Sequence, residues 1–508
     1  MKMQQFGGLL LASARRSRTL VFAKGKNANK SLLFRHKNRA PHRMNVAICA
    51  TTWYNIEKTS GVNQMKILNA AVEKHRQLIL DAERFIWQNP ETGYKEFKTS
   101  AYMAEIFRKL GYDLVMAEGI TGFYTVIDTG RPGPEILIMG ELDSIICPEH
   151  PESDPVTGAV HSCGHNAQCA ALVGVAAALK EPGVLDHYCG KIRLCAVPAE
   201  ELLEIEYRSK LKEEGKIKYL GGKSEFLRRG YFDGVDLAFM VHTHPDFEVK
   251  GGSVGCMAKK ITYKGVSAHA GGVPWEGRNA LYAANCGLNA INAIRETFRE
   301  SDIIRVHPII TNGGAMVNAI PDKVTLESYV RGATFEGIVS ANRKVNQALC
   351  GAALSIGTNV DITDIPGYAP LYNDPDLIQV TKEAVELAIP QYPFHIYNEI
   401  IPSSTDMGDL SCIMPVVHPY AGGSVGTSHG SDYYIRDPEA ACVSSAKMQL
   451  AMLLILLSEQ GKRAYKIIRE YKPLFASKEA YLAFMDELNT TGDRIDYSDP
   501  KVAKVRLI

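Results

Sequence analysis

Apolar residues recur along most of the chain at one of two spacings, and together they predict alternating helices and strands. Helical spacing runs from Lys66 to Trp87, where Asn89-Pro90 ends it, and again from about Ser100 to Leu110. A longer apolar stretch, Ala167 to Leu179, is typical of a buried helix. Short uninterrupted apolar runs, typical of buried strands, occupy residues 122–127, 135–139, 192–197 and 237–241. This alternation predicts an α/β fold with a mixed, largely parallel sheet flanked by helices.

The pattern changes at about residue 251 and describes an inserted β-α-β-β-α-β unit over 251–368. Its predicted elements are a strand at Lys259–Tyr263, a helix at Asn279–Thr297, strands at Arg305–Thr311 and Val324–Val330, and a helix at Ile338–Ala353. Such a unit folds around its own sheet in a ferredoxin-like arrangement. We therefore expect an α+β domain inserted into the larger one.

The remaining patterns define the rest of the predicted domain organisation. A helix is predicted over Pro438–Leu457 with Asp437 as its cap, and loops over Ser403–Asp409 and Ala421–Asp432. The charged stretch Glu204–Lys218 is interpreted as a solvated helix or an insertion without chemistry. The predicted parts are a leader (1–64), a catalytic domain in two pieces (65–250 and 369–460), the insertion (251–368) and a helical C-terminal tail (461–508).

Composition and charge argue against a membrane protein and against a nucleic-acid-binding protein. The chain has 508 residues, of which 46% are hydrophobic and 22% charged, as in ordinary globular proteins. The apolar runs Leu9–Leu11 and Ala451–Leu457 are far shorter than the roughly 18 residues of a membrane helix, so we expect no membrane partner. Residues 1–56 hold eleven Lys or Arg and no acidic residue, which leaves a net charge of −10 in the remainder. An acidic folded part argues against a nucleic-acid partner.

The basic leader and the cysteines indicate where in the cell the protein is located. An acid-free segment rich in arginine and serine fits a mitochondrial transit peptide, and it fits equally a non-native extension upstream of a start at Met44 or Met65. Eleven scattered cysteines without a Cys-x-x-Cys pattern indicate reduced thiols inside a cell. We expect a cytoplasmic protein, or a mitochondrial one if the leader is a transit peptide.

Candidate chemistry centres on His161-Ser-Cys-Gly-His-Asn166. Cys163 and His165 stand two residues apart across Gly164, so a thiolate and an imidazole can converge on one cation. The following apolar helix would place its positive end near Cys163 and favour the thiolate. Taken alone, this Cys-x-His spacing is equally compatible with a buried structural cysteine beside a helix cap.

Three predicted strands deliver further ligand-type residues directly after their C-terminal ends. Those residues are Asp143, the pair Glu200 and Glu201, and His242, and a glycine-rich loop adds His429. In an open α/β sheet that edge is where ligands bind. Adjacent residues in an extended chain point to opposite sides, so one glutamate could bind metal while the other faces a water. Five ligands exceed one tetrahedral zinc and predict two metal ions, with Asp143 supporting a ligating histidine.

Each of these residues also has a structural interpretation: a capping histidine, a loop histidine, a solvated glutamate pair or a turn aspartate. Their joint placement at one sheet edge favours the metal hypothesis. Gly-Gly-Ser-Val-Gly, at 251–255 and 422–426, fits a nucleophile elbow formally, but neither copy lies between a strand and a helix. No His-Glu-x-x-His, Walker or dinucleotide motif occurs.

Motifs along most of the chain, from about Lys66 to Leu457, resemble those of the dinuclear metallopeptidases that include aminoacylase, indoleacetyl-amino-acid hydrolase and p-aminobenzoyl-glutamate hydrolase. The matching segments are Asn89–Tyr94, Asp143, His161–His165, Pro198–Glu201, Val241–Pro245, Gly265–Ala270, Asn318–Pro321, Arg331, Ser404–Asp409 and His429.

The resemblance implies a role for each matching residue. Cys163, His165, Glu201, His242 and His429 are similar to metal ligands, Glu200 to the general base, and His269 to a histidine that reaches a neighbouring subunit's active site. Asn318 and Arg331 are similar to residues that hold a substrate carboxylate. It further implies that the insertion serves as lid and dimerisation domain of a homodimer.

The expected activity is hydrolysis of the amide bond of an N-acyl or N-aroyl amino acid or a dipeptide, a small substrate bearing a carboxylate. Two divalent ions per subunit, zinc or manganese, are implied as cofactors. Asn166 replaces an aspartate of the auxin-conjugate branch, and Gly221-Gly-Lys223 with 232–236 is closer to the aminobenzoyl-glutamate branch, so auxin-type substrates are not expected. The alternative is a non-catalytic binding or scaffold protein with the same fold. Asn166 and the segment 204–220, which is longer than in the family's usual pattern, are the features that favour it.

Overall fold

The computed structural model describes residues 63–499 and 501–507, so almost all of the predicted leader lies outside the described residues. The described α-helices are 63–74 (α1), Arg76–Trp87 (α2), Phe97–Lys109 (α3), His165–Leu179 (α4), Ile205–Glu213 (α5), Gly222–Arg228 (α6), Ala280–Ile294 (α7), Phe335–Ile356 (α8), Pro375–Ala388 (α9), Met407–Ser411 (α10), Ser445–Leu457 (α11), Lys462–Glu470 (α12) and Lys478–Leu488 (α13).

The strands alternate with these helices. They are Val115–Met116 (β1), Phe123–Asp128 (β2), Glu135–Glu141 (β3), Ile145–Ile146 (β4), Ala159–Val160 (β5), Lys191–Val197 (β6), Leu237–Phe239 (β7), His242–Thr243 (β8), Phe247–Val249 (β9), Gly252–Ser253 (β10), Gly255–Lys264 (β11), Arg305–Val306 (β12), Ile309–Asn312 (β13), Lys323–Gly332 (β14), Asn359–Tyr368 (β15), Leu371–Tyr372 (β16), Phe394–Ile396 (β17), Ile400–Ile401 (β18), Val416–Val417 (β19), Tyr420–Ala421 (β20), Ser424–Val425 (β21), Tyr434–Ile435 (β22), Ile495–Asp499 (β23) and Val502–Val505 (β24).

A six-stranded sheet, in the order β1-β2-β6-β3-β7-β19, forms the centre of the described part. β6, β3, β7 and β19 run parallel, while β2 pairs antiparallel with β6 and β1 with β2. Every residue of β3 is buried, because apolar clusters cover both faces of the sheet. The predicted mixed, largely parallel α/β sheet is confirmed, and its parallel strands present their carboxyl ends at one edge.

Helix α4 is the innermost helix, with all fifteen of its residues buried. It packs against α2 and α11, and Gly174 permits the close approach, since a Cβ there would lie 2.7 Å from Ile79 Cδ1 and 2.9 Å from Ala446 Cβ. Small residues along α4 therefore let three helices cover one face of the sheet. This packing fixes the start of α4 at the carboxyl edge.

The helical stretch Glu439–Leu457 has the length and hydropathy of a membrane span, although the apolar run counted in the sequence was only 451–457. In the described chain 94% of an 18-residue window of this stretch is buried among other residues. It begins with a π-helical segment, Glu439–Ser444, before α11, and the Asp437 carboxylate accepts the Ala440 N–H at 3.1 Å. Its apolar surface is thus used as a core helix inside this fold.

A second sheet is built from the segment after residue 251. β11 lies between β14 and β15, and β12 and β13 pair with β14, all antiparallel. Helices α7 and α8 cover one face with a separate apolar cluster. The element order β11-α7-β12-β13-β14-α8-β15 follows the predicted β-α-β-β-α-β pattern, except that the predicted strand Arg305–Thr311 is divided into β12 and β13.

The tail departs from the predicted all-helical form, because after α12 and α13 it ends in the hairpin β23-β24. Thr490 to Arg494 run beside β15, where Thr490 N–H donates to Asp364 O and Arg494 N–H donates to Val360 O. An extended chain is favoured here because it satisfies the edge of β15. α13 packs on the other sheet through Tyr481 and Met485, so the tail touches both sheets.

Two further predictions need correction. The predicted loop Ser403–Asp409 contains the start of α10, whose five residues are all buried. The charged segment after Glu204 is helical, as α5, but it is not a solvated helix, because Ile205, Arg208 and Leu211 are buried. The Arg208 guanidinium donates to the carbonyl oxygens of Glu201 and Leu220, which anchors the segment beneath the Glu200-Glu201 turn.

Candidate metal centre

Five side chains with metal-binding atoms meet at the carboxyl edge of the central sheet. They are Cys163 and His165 at the start of α4, Glu201 after β6, His242 in β8 and His429 in the loop before β22. Parallel strands end at the same edge, so segments far apart in sequence meet there.

Unusual backbone conformations aim these side chains. Gly164 has φ of 89°, and a Cβ at this position would overlap Thr243 and Tyr433. Ala199, with φ of 55°, precedes the glutamate pair, and His429 itself has φ of 64°. Non-glycine residues in the left-handed region are uncommon and concentrate at functional sites.

The ligand atoms form two groups of three that share one residue. Cys163, His165 and His242 make the first group, and Cys163, Glu201 and His429 the second, with the atoms of each group within 4.8 Å of one another. Because the Cys163 thiol belongs to both groups, it is placed to bridge two cations. The arrangement offers two neighbouring three-ligand positions.

One distance inside the groups matches the spacing of ligands around a cation. Ligands of one tetrahedral zinc, bound at about 2.1 Å for nitrogen or oxygen and about 2.3 Å for sulfur, lie roughly 3.4 to 3.6 Å apart. Cys163 Sγ lies 3.5 Å from His242 Nε2, whereas Glu201 Oε1 and His429 Nε2, 3.0 Å apart, form a direct ion pair. His165 Nε2 is buried and has no hydrogen-bond partner among the described residues. The donor set therefore suits divalent metal ions.

Charges inside the cluster reinforce one another. Burial and Glu201 oppose ionisation of the Cys163 thiol, but His165, His242 and His429 lower its pKa to about 6. Burial likewise opposes ionisation of Glu201, while His429 lowers its pKa to about 2. Glu201, against the effect of burial, raises the pKa of His429 to about 12. Burial, followed by Glu141 and Glu201, raises the pKa of the Glu200 carboxyl well above its usual range.

Asp143 supports the cluster from behind. Its carbonyl oxygen lies 2.9 Å, and its carboxylate 3.4 Å, from His165 Nδ1, and the carboxylate accepts the Glu201 N–H at 2.8 Å. A histidine held through one nitrogen presents the other to a cation. His242 Nδ1 accepts the Thr243 N–H at 2.8 Å and lies 3.1 Å from the Thr243 carbonyl oxygen. Asp143 therefore contacts two of the candidate ligands, His165 at the start of α4 and Glu201 after β6.

A cavity of about 680 Å³ opens over the cluster, and Cys163, Glu200, Glu201, His242 and His429 line it. Arg331, on β14, lines the same cavity, and its guanidinium donates to Ser404 Oγ at 3.0 Å. A larger hollow of about 810 Å³ on the polar face of the second sheet shares none of these residues. The smaller cavity is therefore the one that the candidate metal ligands line.

His269 and Asn318 do not line that cavity. Both are exposed, and they are neighbours, since the Ala270 N–H donates to the Asn318 carbonyl oxygen at 2.9 Å and His269 pairs with Ala319. Within the described chain the structure thus assembles every other predicted site residue at the cluster or its cavity and leaves this pair apart.

Asn166, the departure from the family pattern, has a structural explanation. Its side-chain amide donates to Glu83 Oε1 at 2.7 Å, and both residues are buried. An aspartate here would place two carboxylates together without a donor. Asn166 therefore belongs to the support of α4 rather than to the cavity.

Sequence reasoning missed a buried ion-pair network directly behind the ligands. Glu141, Lys223 and Asp406 are each 0% exposed, and the Lys223 ammonium contacts both carboxylates. All three lie in the motifs Gly-Glu-Leu-Asp, Gly-Gly-Lys and Ser-Thr-Asp, but no spacing along the chain shows that they meet. The signal available in the sequence was Lys223, which directly follows two glycines.

Comparisons with known proteins agree with this geometry. Residues 137–454 match the model of peptidase family M20/M25/M40. The Xaa-Arg dipeptidase of Homo sapiens is 30% identical over 370 residues, covering 69% of this chain and 78% of that protein. The N-acetyl-L-cysteine deacetylase of Bacillus subtilis is 29% identical over 330 residues, covering 61% and 72%.

Two solved structures share the fold. An aminobenzoyl-glutamate utilization protein from Klebsiella pneumoniae, 18% identical, covers 78% of this chain and 99% of its own with a TM-score of 0.59. A dinuclear metal-binding M20 peptidase of Bacillus subtilis, 20% identical, covers 76% and 99% with a TM-score of 0.56.

Proposed function

The chain belongs to peptidase family M20/M25/M40, as its motifs indicated, and we propose that it is a metal-dependent amidohydrolase with Glu200 as general base. Its substrate would be an N-acyl or N-aroyl amino acid or a dipeptide. The convergence of two ligand groups on the shared thiol of Cys163, beside a buried Glu200, is the observation that carries this proposal. A Xaa-Arg dipeptidase and an N-acetyl-L-cysteine deacetylase among its relatives support the substrate class.

Cys163, His165 and His242 would hold one divalent ion, and Cys163, Glu201 and His429 the other. When bound, such ions activate a water and polarise the scissile carbonyl. A thiolate ligand favours zinc, and manganese also suits the nitrogen and oxygen donors.

Glu200 is placed to move the proton. It lines the cavity with its carboxylate 3.9 Å from His165 Nε2 and belongs to neither ligand group that contains Cys163. It would accept a proton from the attacking water and donate it to the leaving nitrogen. Its burial among carboxylates raises its pKa, which suits a base that must later act as an acid.

Arg331 would hold the substrate carboxylate. Its guanidinium reaches the cavity from β14 and can make two parallel hydrogen bonds to a carboxylate, a contact that lysine cannot reproduce. Asn318 and His269 would contribute from the partner subunit, His269 by polarising the carbonyl, because both are exposed and outside their own subunit's cavity.

This role for His269 requires a homodimer in which residues 251–368 act as lid and dimerisation domain, while 65–250 and 369–460 form the catalytic domain. A cytoplasmic location, or a mitochondrial one if the leader directs import, is part of the proposal. So is the absence of nucleic-acid and membrane partners.

A substrate screen tests the proposal. The purified protein, with metal content measured, is offered acylated amino acids and dipeptides together with zinc, manganese or cobalt. We expect hydrolysis that a chelator abolishes and metal restores. A substrate whose carboxylate is amidated is the matched control, since it should show a raised KM if Arg331 binds that group. A metal-free, inert protein would favour the non-catalytic scaffold alternative.

A further inference from the structure

A third group of ligand-type side chains lies against the proposed metal centre. Glu141, His165 and Glu200 are all buried, and one ligand atom from each lies within 4.8 Å of the other two. Glu141 Oε2 is 3.2 Å and Glu200 Oε2 is 3.9 Å from His165 Nε2. Two carboxylates and an imidazole make a harder donor set than the group with Cys163 and His242.

The two groups compete, because His165 is common to both and one imidazole nitrogen binds a single ion. An ion held by Glu141, His165 and Glu200 would no longer be bound by the Cys163 thiolate. It would also bind the carboxylate of Glu200, the proposed general base, which could then not accept a proton. Such an ion would inactivate the enzyme while metal remained bound. The protein therefore needs a feature that keeps cations off this alternative position.

Lys223 is placed to do this. Its ammonium lies 2.5 Å from Glu141 Oε1 and also contacts Asp406, whose other oxygen accepts the Lys223 main-chain N–H at 2.9 Å. Gln168 donates to Glu141 Oε2 at 2.8 Å. Both oxygens of Glu141 thus have donors, and a fixed positive charge lies beside the carboxylate where a second cation would be repelled.

We propose that Lys223 is a positioning residue that keeps metal ions off the Glu141–His165–Glu200 position, so that Glu200 stays free as the base. The proposal rests on the proposed function, because it assigns that role to Glu200. A buried lysine between two carboxylates gives little net stability compared with apolar packing, so excluding a misplaced cation gives this network a function beyond stability.

Two double variants provide the test, since Lys223→Met alone would leave two buried carboxylates and could fail to fold. Lys223→Met with Asp406→Asn removes the ammonium and keeps the Glu141 carboxyl group. Lys223→Met with Glu141→Gln removes the ammonium together with the competing carboxylate. Both remove one positive and one negative charge, so a merely structural role of Lys223 predicts equal behaviour.

The zinc-loaded enzymes are titrated with Mn²⁺, which prefers carboxylate ligands. We expect the variant that keeps Glu141 to lose kcat, with little change in KM, at a Mn²⁺ concentration at least tenfold lower than wild type. The Glu141→Gln double variant should respond like wild type. Equal responses of two folded double variants would overturn the proposal.

Anomalous diffraction from Mn²⁺-soaked crystals gives a readout independent of turnover. We expect a manganese peak between Glu141 and Glu200 only in the Lys223→Met/Asp406→Asn protein. No peak there would overturn the inference, even if the wild type is active. Conversely, a wild type that hydrolyses no substrate would remove the proposed function, while the peak would still report what Lys223 excludes.

Discussion

Cys163 contributes its thiol to both ligand groups, whereas each of the other four ligands contributes to one. Replacing the shared ligand should therefore affect two metal positions, and replacing an unshared ligand only one.

Cys163→Ser should lose both metal equivalents at a chelator concentration that leaves both on wild type. His242→Ala is the matched control and should lose one, because it belongs to one group only. Metal content after dialysis, measured by mass spectrometry, distinguishes the two. Retention of one full equivalent by Cys163→Ser would contradict a shared thiol.

Glu200→Gln should lower kcat by at least about a hundredfold, the lower end of what general-base catalysis contributes. The amide keeps the shape of the side chain but accepts no proton. Metal content should stay as in wild type, because Glu200 lies outside both Cys163 groups. Turnover close to wild type would remove Glu200 from this role.

Asp409 predicts a pH dependence of stability. Burial, followed by Asp406, raises the pKa of its carboxyl to about 7, whereas an unfolded aspartate titrates near 3.9. Between these values the folded state keeps a proton that the unfolded state has lost, so stability falls as pH rises from about 4 to about 7. The Asp409→Asn variant has no carboxyl group at this position and so lacks this loss. The difference between its free energy of unfolding and that of wild type should therefore rise by about 2 to 4 kcal/mol between pH 4.5 and 8.

Urea unfolding of both proteins at several pH values measures the difference. The Tyr481 hydroxyl donates to Asp409 at 2.5 Å, so Tyr481→Phe controls for loss of that contact. A difference between Asp409→Asn and wild type that does not change with pH would rule out titration of Asp409 as the cause.

At the scale of elements, the C-terminal tail connects two sheets that the rest of the chain folds separately. α13 packs on the central sheet's cluster, and the Lys212 and Lys218 side chains, in and just after α5, contact Asn489 and Asp486. Beyond Asn489 the chain pairs with β15 and buries Ile495 in the second sheet's core. The tail thus protects one edge of that sheet, a surface otherwise prone to pairing with other chains.

Deleting residues 489–508 should lower the free energy of unfolding by at least about 2 kcal/mol, because Ile495 leaves a core. The bared β15 edge should also promote aggregation. Deleting only 501–508 is the matched control, since β24 is exposed along its length. Denaturant unfolding and light scattering compare the two, and equal stability of both truncations would show that the edge strand contributes nothing.

At the scale of the whole molecule, the proposed function has a second subunit supply His269 and Asn318 to the site. The two residues adjoin each other on the second sheet and are exposed, while the rest of the site is assembled within one chain. A dimer that exchanges these residues would make activity depend on association.

Mixing Glu200→Gln with His269→Ala tests this exchange. In a mixed dimer the His269→Ala subunit keeps its own Glu200 and receives an intact His269, so one site works. Random reassociation should restore about a quarter of wild-type activity, since half the dimers are mixed and each has one working site. Activity that stays at the sum of the two parents would contradict a shared site.

The predictability of the fold differed between its parts. The long periodic helices and buried strands were placed within a few residues, because period and burial coincide there. α10 was missed, since its five residues are too short for a period and lie in a polar stretch. The hairpin at the C-terminus was missed because β23 and β24, of five and four residues, pair with each other and are too short for a recognisable period.

The sequence by itself indicated the candidate ligand types and placed Asp143, Glu201 and His242 just after strands, because a strand's carboxyl end and the Cys-x-His spacing are local properties. Only the tertiary structure decided that Cys163 belongs to both candidate ligand groups, that His269 and Asn318 stand outside the cavity, and that Lys223 lies between Glu141 and Asp406. These are distances between segments far apart in the chain. They depend on how helices and loops pack around the sheet, and no local spacing encodes that packing.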